Sequence, residues 1–453
     1  MDSNMQDPSA WERVEVGALL LALPPHWTLE LSDAGPLLLH PEVGEFFRPN
    51  MVVRHAKDDR PIEAISAQSI QAELRFNPDA HYLHADAQGW AVEGTGTLQG
   101  RHHRFAYTAG GWGIVVNRWL IADGENAWEL VGSCSLIQTD DMEPTFAAVA
   151  GSVVPGRDAL QAAGSSRSAA PTDGGWRPRL DTLATARDQA PRETWGGLHR
   201  AARFRSEGPV LSFAAMDVLT RSAELTRLPR LMEPADQPAV DELRSAGLID
   251  QKGRFSERLK LFLAPIRDAS FAVHVTGMTG GIPTSMTCWI GDGTVLVAAG
   301  PSRDQLLSPV PDGVPNDRLQ LDLLSGESVP AEIAAWAGLL PAWHRAGTSM
   351  TLDPDEYGRA VQEGPQTIEG TLPDDRMVTQ PWFQWSVAID PLGPVLDLTG
   401  MGEAGQYLTD FSGTPLTLQA VSTDWVWTKL SQTYLAALAG LPSRAEREER
   451  DRG

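Results

Sequence analysis

Cysteine is nearly missing from this sequence: 453 residues hold two, Cys134 and Cys288, with no CxxC pair. That excludes a disulfide-stapled scaffold and a cysteine-built zinc module. Each cysteine lies in an apolar, strand-like run, so both are expected as unbridged core side chains in a reducing cytosol. Long apolar runs are missing as well. The longest, Ala18 to Pro25, falls far short of the roughly 20 residues that a membrane-spanning helix needs. Met1 to Trp11 carries Asp2 and Asp7 and lacks the basic start and apolar core of a secretion signal. The expectation is a cytoplasmic chain with no membrane insertion.

Positive charge is scarce. Lysine and arginine number 37 against 59 aspartates and glutamates, a net charge of −22. A field of that sign repels phosphate backbones and anionic lipid, so no nucleic-acid partner is expected. The one basic-looking stretch, Arg444 to Arg452, is interleaved with Glu446, Glu448, Glu449 and Asp451, and reads as a solvated tail.

Catalytic signatures are absent too. The sequence has no GxSxG turn, no phosphate-binding GxxxxGK[ST] loop, no HExxH and no GxGxxG between a strand and a helix. No catalytic residue, no metal site and no cofactor are therefore expected, and the chain reads as non-enzymatic. The best metal candidate is His81-x-x-His84 with His102-His103, near Asp79 and Asp86. Zinc wants a defined tetrahedral set, and the reading here is of surface histidines near a loop between strands. A metal- or small-ligand-binding protein using that region stays open as an alternative. His274 sits on the polar side of its strand. Asp140-Asp141 and Asp353-x-Asp355-Glu356 read as solvated acidic pairs in loops, and Gly277 to Gly281 as a flexible hairpin tip.

What is present is ordinary globular material: 42% hydrophobic and 21% charged residues, in a chain too long for one core. The first half reads as short alternating strands with a helix over Ile62 to Phe76 and another from Met142 to Val153. Gly164 to Gly175 is rich in small polar residues and poor in large apolar ones, which is linker composition. The second half opens with helices over Leu211 to Leu228, Val240 to Leu248 and from Ser256 to Ala264. Alternating strands follow at Phe271 to Thr276, then Met286 to Ile290 and Thr294 to Val297 on either side of a Gly291-Asp292-Gly293 hairpin turn, then Leu319 to Leu323 and Phe383 to Ile389. A final helix from Asp424 is expected to bury Trp427, Leu430, Tyr434 and Leu438. The fold class is α+β. The divisions are a first domain over 1–156, a linker over 157–207, a second domain over 208–442 and a charged tail over 443–453. Fifteen tryptophans against five tyrosines is the compositional oddity, and most are assigned to cores.

Two resemblances follow from particular residues. In the second half, Leu211-Ser212-Phe213 to Leu228-Pro229, Leu243 to Ile249 running into Gly253-Arg254-Phe255, the hairpin strands, and Gly405-Gln406-Tyr407-Leu408 before Trp425 occur in the order of the EspG-like chaperones of ESX (type VII) secretion systems. In the first half, Pro24-Pro25-His26-Trp27 resembles the PxGW element of the LpqN/DcrB group with its PsbP-like fold, His26 standing where glycine is usual. Phe47 to Val53 is similar to that group's PNxxV strand. The EspG-like resemblance implies a non-enzymatic cytosolic protein that caps the apolar tip of small helical secreted proteins of the WxG or PE/PPE type. A scaffold or assembly factor of the same system is the alternative. It also implies that the hairpin with Met278 and Ile282 forms part of the partner contact. Three WxG triplets, at Trp195, Trp289 and Trp336, stand against roughly 1.4 expected by chance from this composition, an excess that means little.

Overall fold

The computed structural model describes residues 11–16, 19–32, 35–41, 47–92, 96–155, 180–182, 204, 206, 208–229, 233–291, 293–307, 314–341, 349–368, 370, 372–373 and 375–440. The chain divides into two units, Met1–Ala201 and Ala202–Gly453. Both combine helices with antiparallel sheet, the α+β class.

The first unit runs β1 (Glu12–Val16), β2 (Leu19–Leu23), β3 (Thr28–Ser32), β4 (Gly35–Leu39), β5 (Asn50–Lys57), α1 (Ile62–Phe76), β6 (His81–Val92), β7 (Gly96–Ala109), β8 (Trp112–Ala122), β9 (Asn126–Ser135), α2 (Thr139–Gly151), β10 (Val154–Pro155) and β11 (Leu180–Thr182). Eight strands form one sheet in the order β11-β6-β7-β8-β9-β5-β4-β3, and β1, β2 and β10 form a small second one. Strand β11 falls within the span read as linker, so that span contributes a strand against β6.

Alternation along the strands gives the large sheet two faces of different character. One face carries Met51, Trp119, Trp128 and Leu130, which join Phe146 of α2 and residues of β1 and β2 in a single core. Gly132 lets α2 come this close: a Cβ there would lie 2.7 Å from the Phe146 ring. The opposite face, with Phe105, Val116 and Arg118, meets α1 through Ser66, Ser69 and Glu73. His26 has φ +68°, the left-handed region that favours glycine, and is the sole non-glycine residue there among those described.

The second unit runs β12 (Val210–Ser212), α3 (Phe213–Arg221), α4 (Gln237–Ser245), α5 (Glu257–Arg267), β13 (Phe271–Thr279), β14 (Ile282–Ile290), β15 (Val295–Ala299), α6 (Arg303–Leu307), β16 (Arg318–Leu324), α7 (Val329–Ala337), β17 (Ser349–Leu352), α8 (Pro354–Glu363), β18 (Phe383–Asp390), β19 (Gly393–Gly400), β20 (Gln406–Asp410), β21 (Leu416–Val421) and α9 (Thr423–Gly440). Ten strands form one sheet, ordered β12-β16-β15-β14-β13-β18-β19-β20-β21-β17.

Several local expectations are corrected. The segment from Leu211 begins as a strand, because Leu211 pairs with Leu319, and the helix starts only after Ser212, whose Oγ accepts from Ala215 N–H. Helix α5 continues through Pro265 to Arg267. Leu438 is 40% exposed, and the buried stripe of α9 runs instead through Val426, Trp427, Leu430, Tyr434 and Ala437. Asp140 and Asp141 lie in the first turn of α2, and Asp355 and Glu356 in that of α8, where carboxylates complement the helix dipole. Asp353 caps α8 by accepting from Asp355 N–H. Cys134 and Cys288 are both free and buried, and burial pushes each thiol up, away from thiolate reactivity. Nine of the described tryptophans are buried, which places most of those described in cores. No described helix is long and apolar enough to cross a membrane. Trp195, Gly164 to Gly175 and the tail beyond Gly440 lie outside the described residues.

Candidate functional site

The histidines do not converge. His102 and His103 are neighbours on β7, so they project from opposite faces of the sheet. His102 stacks on Trp119 with ring centroids 4.8 Å apart and pairs through Nε2 with Asn117 Oδ1 at 2.9 Å. His103 lies on the α1 face, fully buried, with Nε2 2.8 Å from Ser66 Oγ. His81 is also buried, and His84 stands beside His102, centroids 5.1 Å apart. The expectation of surface histidines by a loop is thus corrected: they sit inside two long paired strands. Among the described residues no group of three or more His, Cys, Asp or Glu is placed to hold a metal ion.

Each unit carries a concavity lined by described residues. In the first, α1 covers β7 and β8 but leaves β9 and β5 partly open, and a groove of about 690 Å³ lies alongside it. Its helical wall repeats at i, i+3, i+4 through Ile65, Ser69, Ala72 and Phe76, and Val52, Val116, Leu120 and Val131 form an apolar floor. Across the floor runs an ion network centred on Arg118, which is 5% exposed. Arg118 pairs with Glu73 through Nη2 and with Glu129 through Nε at 3.0 Å. It also donates to Ser69 Oγ at 3.0 Å. Glu129 in turn pairs with Arg54 at 3.0 Å. Burial works against the Arg118 charge, but the carboxylates of Glu129 and Glu73 hold its pKa above the ordinary value. Burial also pushes the Tyr82 phenol up, so it stays protonated.

In the second unit, pairing sets which residues share a face. Val273, Val275, Trp385 and Val387 point one way, toward α7 and α9, with Trp336 against Phe383 and Tyr434 against Phe271. The other face is covered twice, at opposite ends. Helices α3, α4 and α5 pack over Leu296, Ala298, Leu319 and Leu321. Helix α8 packs over β19 and β20, its Tyr357 hydroxyl 2.7 Å from Thr399 Oγ1. Between these covers only the middle of β14, β13 and β18 is open, carrying Thr287, Ser285, His274, Thr276, Ser386 and Gln384, each exposed or half-buried. A cleft of about 400 Å³ sits at one end of this strip, lined by Phe213, Met278, Pro283, Asn316 and Gln384 among others, with no charged side chain.

Met278 is therefore at the cleft, half-buried and packed against the core under α8. Ile282 opens β14 opposite Thr279 and lies outside the cleft lining. The strands run to Thr279 and Ile282, so the turn is only Gly280-Gly281, both at positive φ. Gly280 N–H donates to Val361 O of α8 at 2.9 Å. The expected flexible tip is a tight, tethered turn.

Sequence reasoning missed the Arg118 network and the bare strip. A signal for the first exists: Asn117-Arg118 interrupts an otherwise apolar run from Ile114 to Ile121, and a charge in such a strand must be paired. The polar alternation of β13 and β18 is visible in sequence, but its adjacency across strands is not.

No family model and no curated protein matches the chain. Among solved structures, it is similar over 32% of its length to cyanobacterial PsbP from Synechocystis, at 10% identity, 93% of that chain and a TM-score of 0.26. A similar share, 32%, matches LpqN of Mycobacterium tuberculosis, described as involved in cell envelope biogenesis, at 17% identity, 86% of that chain and a TM-score of 0.23. A protein of Bacteroides thetaiotaomicron matches 65% of this chain and 84% of its own, at 12% identity and a TM-score of 0.21. The PsbP and LpqN matches fall on the N-terminal third. Scores and identities of this size assign no activity.

Proposed function

We propose that this chain is a non-enzymatic, cytoplasmic binding protein whose second unit holds a helical partner on the bare strip of β14, β13 and β18. The partner class is the one that the EspG-like resemblance implies: small helical type VII secretion substrates of the WxG or PE/PPE type, kept soluble until export. The observation that carries the reading is the strip itself. Two helical covers stop short of each other and leave the middle of three strands open on one face. The outer two lie about 10 Å apart, close to the diameter of one α-helix. The cleft at its end offers Phe213, 47% exposed, beside Met278 and Pro283. Apolar anchors at one end and uncharged hydrogen-bonding groups along the strip suit the apolar tip of a helical hairpin.

The test is affinity isolation of the tagged full-length chain from its native host, in parallel with Thr276→Arg and Ser285→Arg variants. Both positions are exposed or half-buried, so the added charge burdens the strip and not the core. A stoichiometric small helical protein that is retained by the parent and lost from both variants supports the proposal. Recovery of no such protein, or its equal recovery by parent and variants, overturns it.

A further inference from the structure

The groove beside α1 belongs to the first unit and shares no residue with the open strip of the second. Its volume of about 690 Å³ is that of a small-molecule pocket, and too small to seat a folded segment of several helical turns. Six charged side chains line it: Arg54, Arg60 and Arg118 against Asp58, Glu73 and Glu129. Three positive and three negative charges cancel, and they are already matched to one another: Arg60 with Asp58, Arg118 with Glu73 and Glu129, and Arg54 with Glu129. A ligand bearing net charge would bring an unmatched ion into this network, which is costly away from water. The carboxylates of Glu73 and Glu129 retain lone pairs, however, and Ser69 on the helical wall and Ser133 on the floor add hydroxyls.

At the rim stands Phe76, the last residue of α1, 84% exposed. A phenylalanine this open on the wall of an apolar groove has no packing role within the unit. Its ring is placed to cover an apolar body lying over Val52, Val116 and Val131.

We propose that this groove binds a small, uncharged amphipathic molecule, with its apolar body on the β5–β8–β9 floor under Phe76 and a neutral hydrogen-bond donor at the Glu73–Arg118–Glu129 network. The hydroxyl or amide of the ligand donates to a carboxylate oxygen there, and the matched ion network is left intact.

Two fluorescent probes share one aromatic body and differ in charge: N-phenyl-1-naphthylamine is neutral, and 8-anilinonaphthalene-1-sulfonate carries one negative charge. Each is titrated into the full-length protein. The neutral probe should bind saturably, one molecule per chain, and about tenfold or more tighter than the sulfonate, since the sulfonate must be buried without a partner. Ala72→Trp, which fills the groove from the helical wall, should abolish the neutral probe's saturable phase. Phe76→Ala removes an exposed side chain, leaves folding unaffected, and should weaken binding several-fold. A non-saturable neutral titration overturns the proposal, as does equal binding of the two probes. So does saturable binding that Phe76→Ala and Ala72→Trp both leave unchanged.

Discussion

Acidification should loosen the first unit through a single side chain, His103. This imidazole is fully buried between β7 and α1, its Nε2 2.8 Å from Ser66 Oγ. Burial holds its pKa well below the ordinary value, and the neighbouring Arg118 guanidinium adds to the depression. In the unfolded chain the same group titrates near 6.5. The folded state therefore stays neutral at a pH where the unfolded state already binds a proton. Stability from this group is fully present above about pH 6.5 and is lost as pH falls toward the depressed folded value. With one extra proton on the unfolded side, the slope approaches about 1.4 kcal/mol per pH unit, or up to about 2 kcal/mol between pH ~6.5 and ~5. Native-state hydrogen exchange on peptides from β7 and β8, corrected for intrinsic exchange, reads this in the first unit alone. A His103→Gln variant keeps a side-chain amide for Ser66 but cannot titrate in this range. Its opening free energy should start lower and change less with pH, the two slopes differing by about one proton. Parallel pH profiles for parent and variant would refute the reasoning, whatever their absolute levels.

Two further outcomes rest on packing alone. Gly100→Ala should cost about 1–3 kcal/mol and lower the thermal midpoint of the first unit, because the added Cβ would lie 2.1 Å from Trp90 Cζ3 and 2.5 Å from the Leu120 carbonyl oxygen. On α9, Leu430→Ala should cost about 2–5 kcal/mol and Leu438→Ala under about 1 kcal/mol in chemical unfolding, since Leu430 is 2% and Leu438 40% exposed.

Local pattern carried much of the fold. The span Ile62 to Phe76 is a helix end to end, because its apolar residues recur at helical spacing with no glycine or proline between them. Phe383 to Asp390 is a strand because Phe383, Trp385, Val387 and Ile389 alternate with smaller or polar residues. Boundaries were less legible. Leu211 has the same apolar side chain whether it starts a helix or pairs with Leu319, and only the presence of β16 decides.

The sites divide along the same line. Met278 was legible as part of a hairpin, but its neighbours in the cleft come from Phe213, Asn316 and Gln384, each remote in sequence. The histidines show the converse error. Adjacent in sequence, His102 and His103 look like a ligand pair, and the strand's two-residue period sends them to opposite faces of the sheet.

By itself, the amino-acid sequence determined the α+β class, the free core cysteines, the lack of any spanning helix among the described residues and the identity of most strands, since these follow from composition and short-range periodicity. Only the tertiary structure decided that Glu73, Arg118 and Glu129 meet on one sheet face, and that the middle of three strands of the second sheet stays open between two helical covers. Those facts depend on strand order and register, which are set by side chains tens to hundreds of residues apart and leave no local mark in the chain.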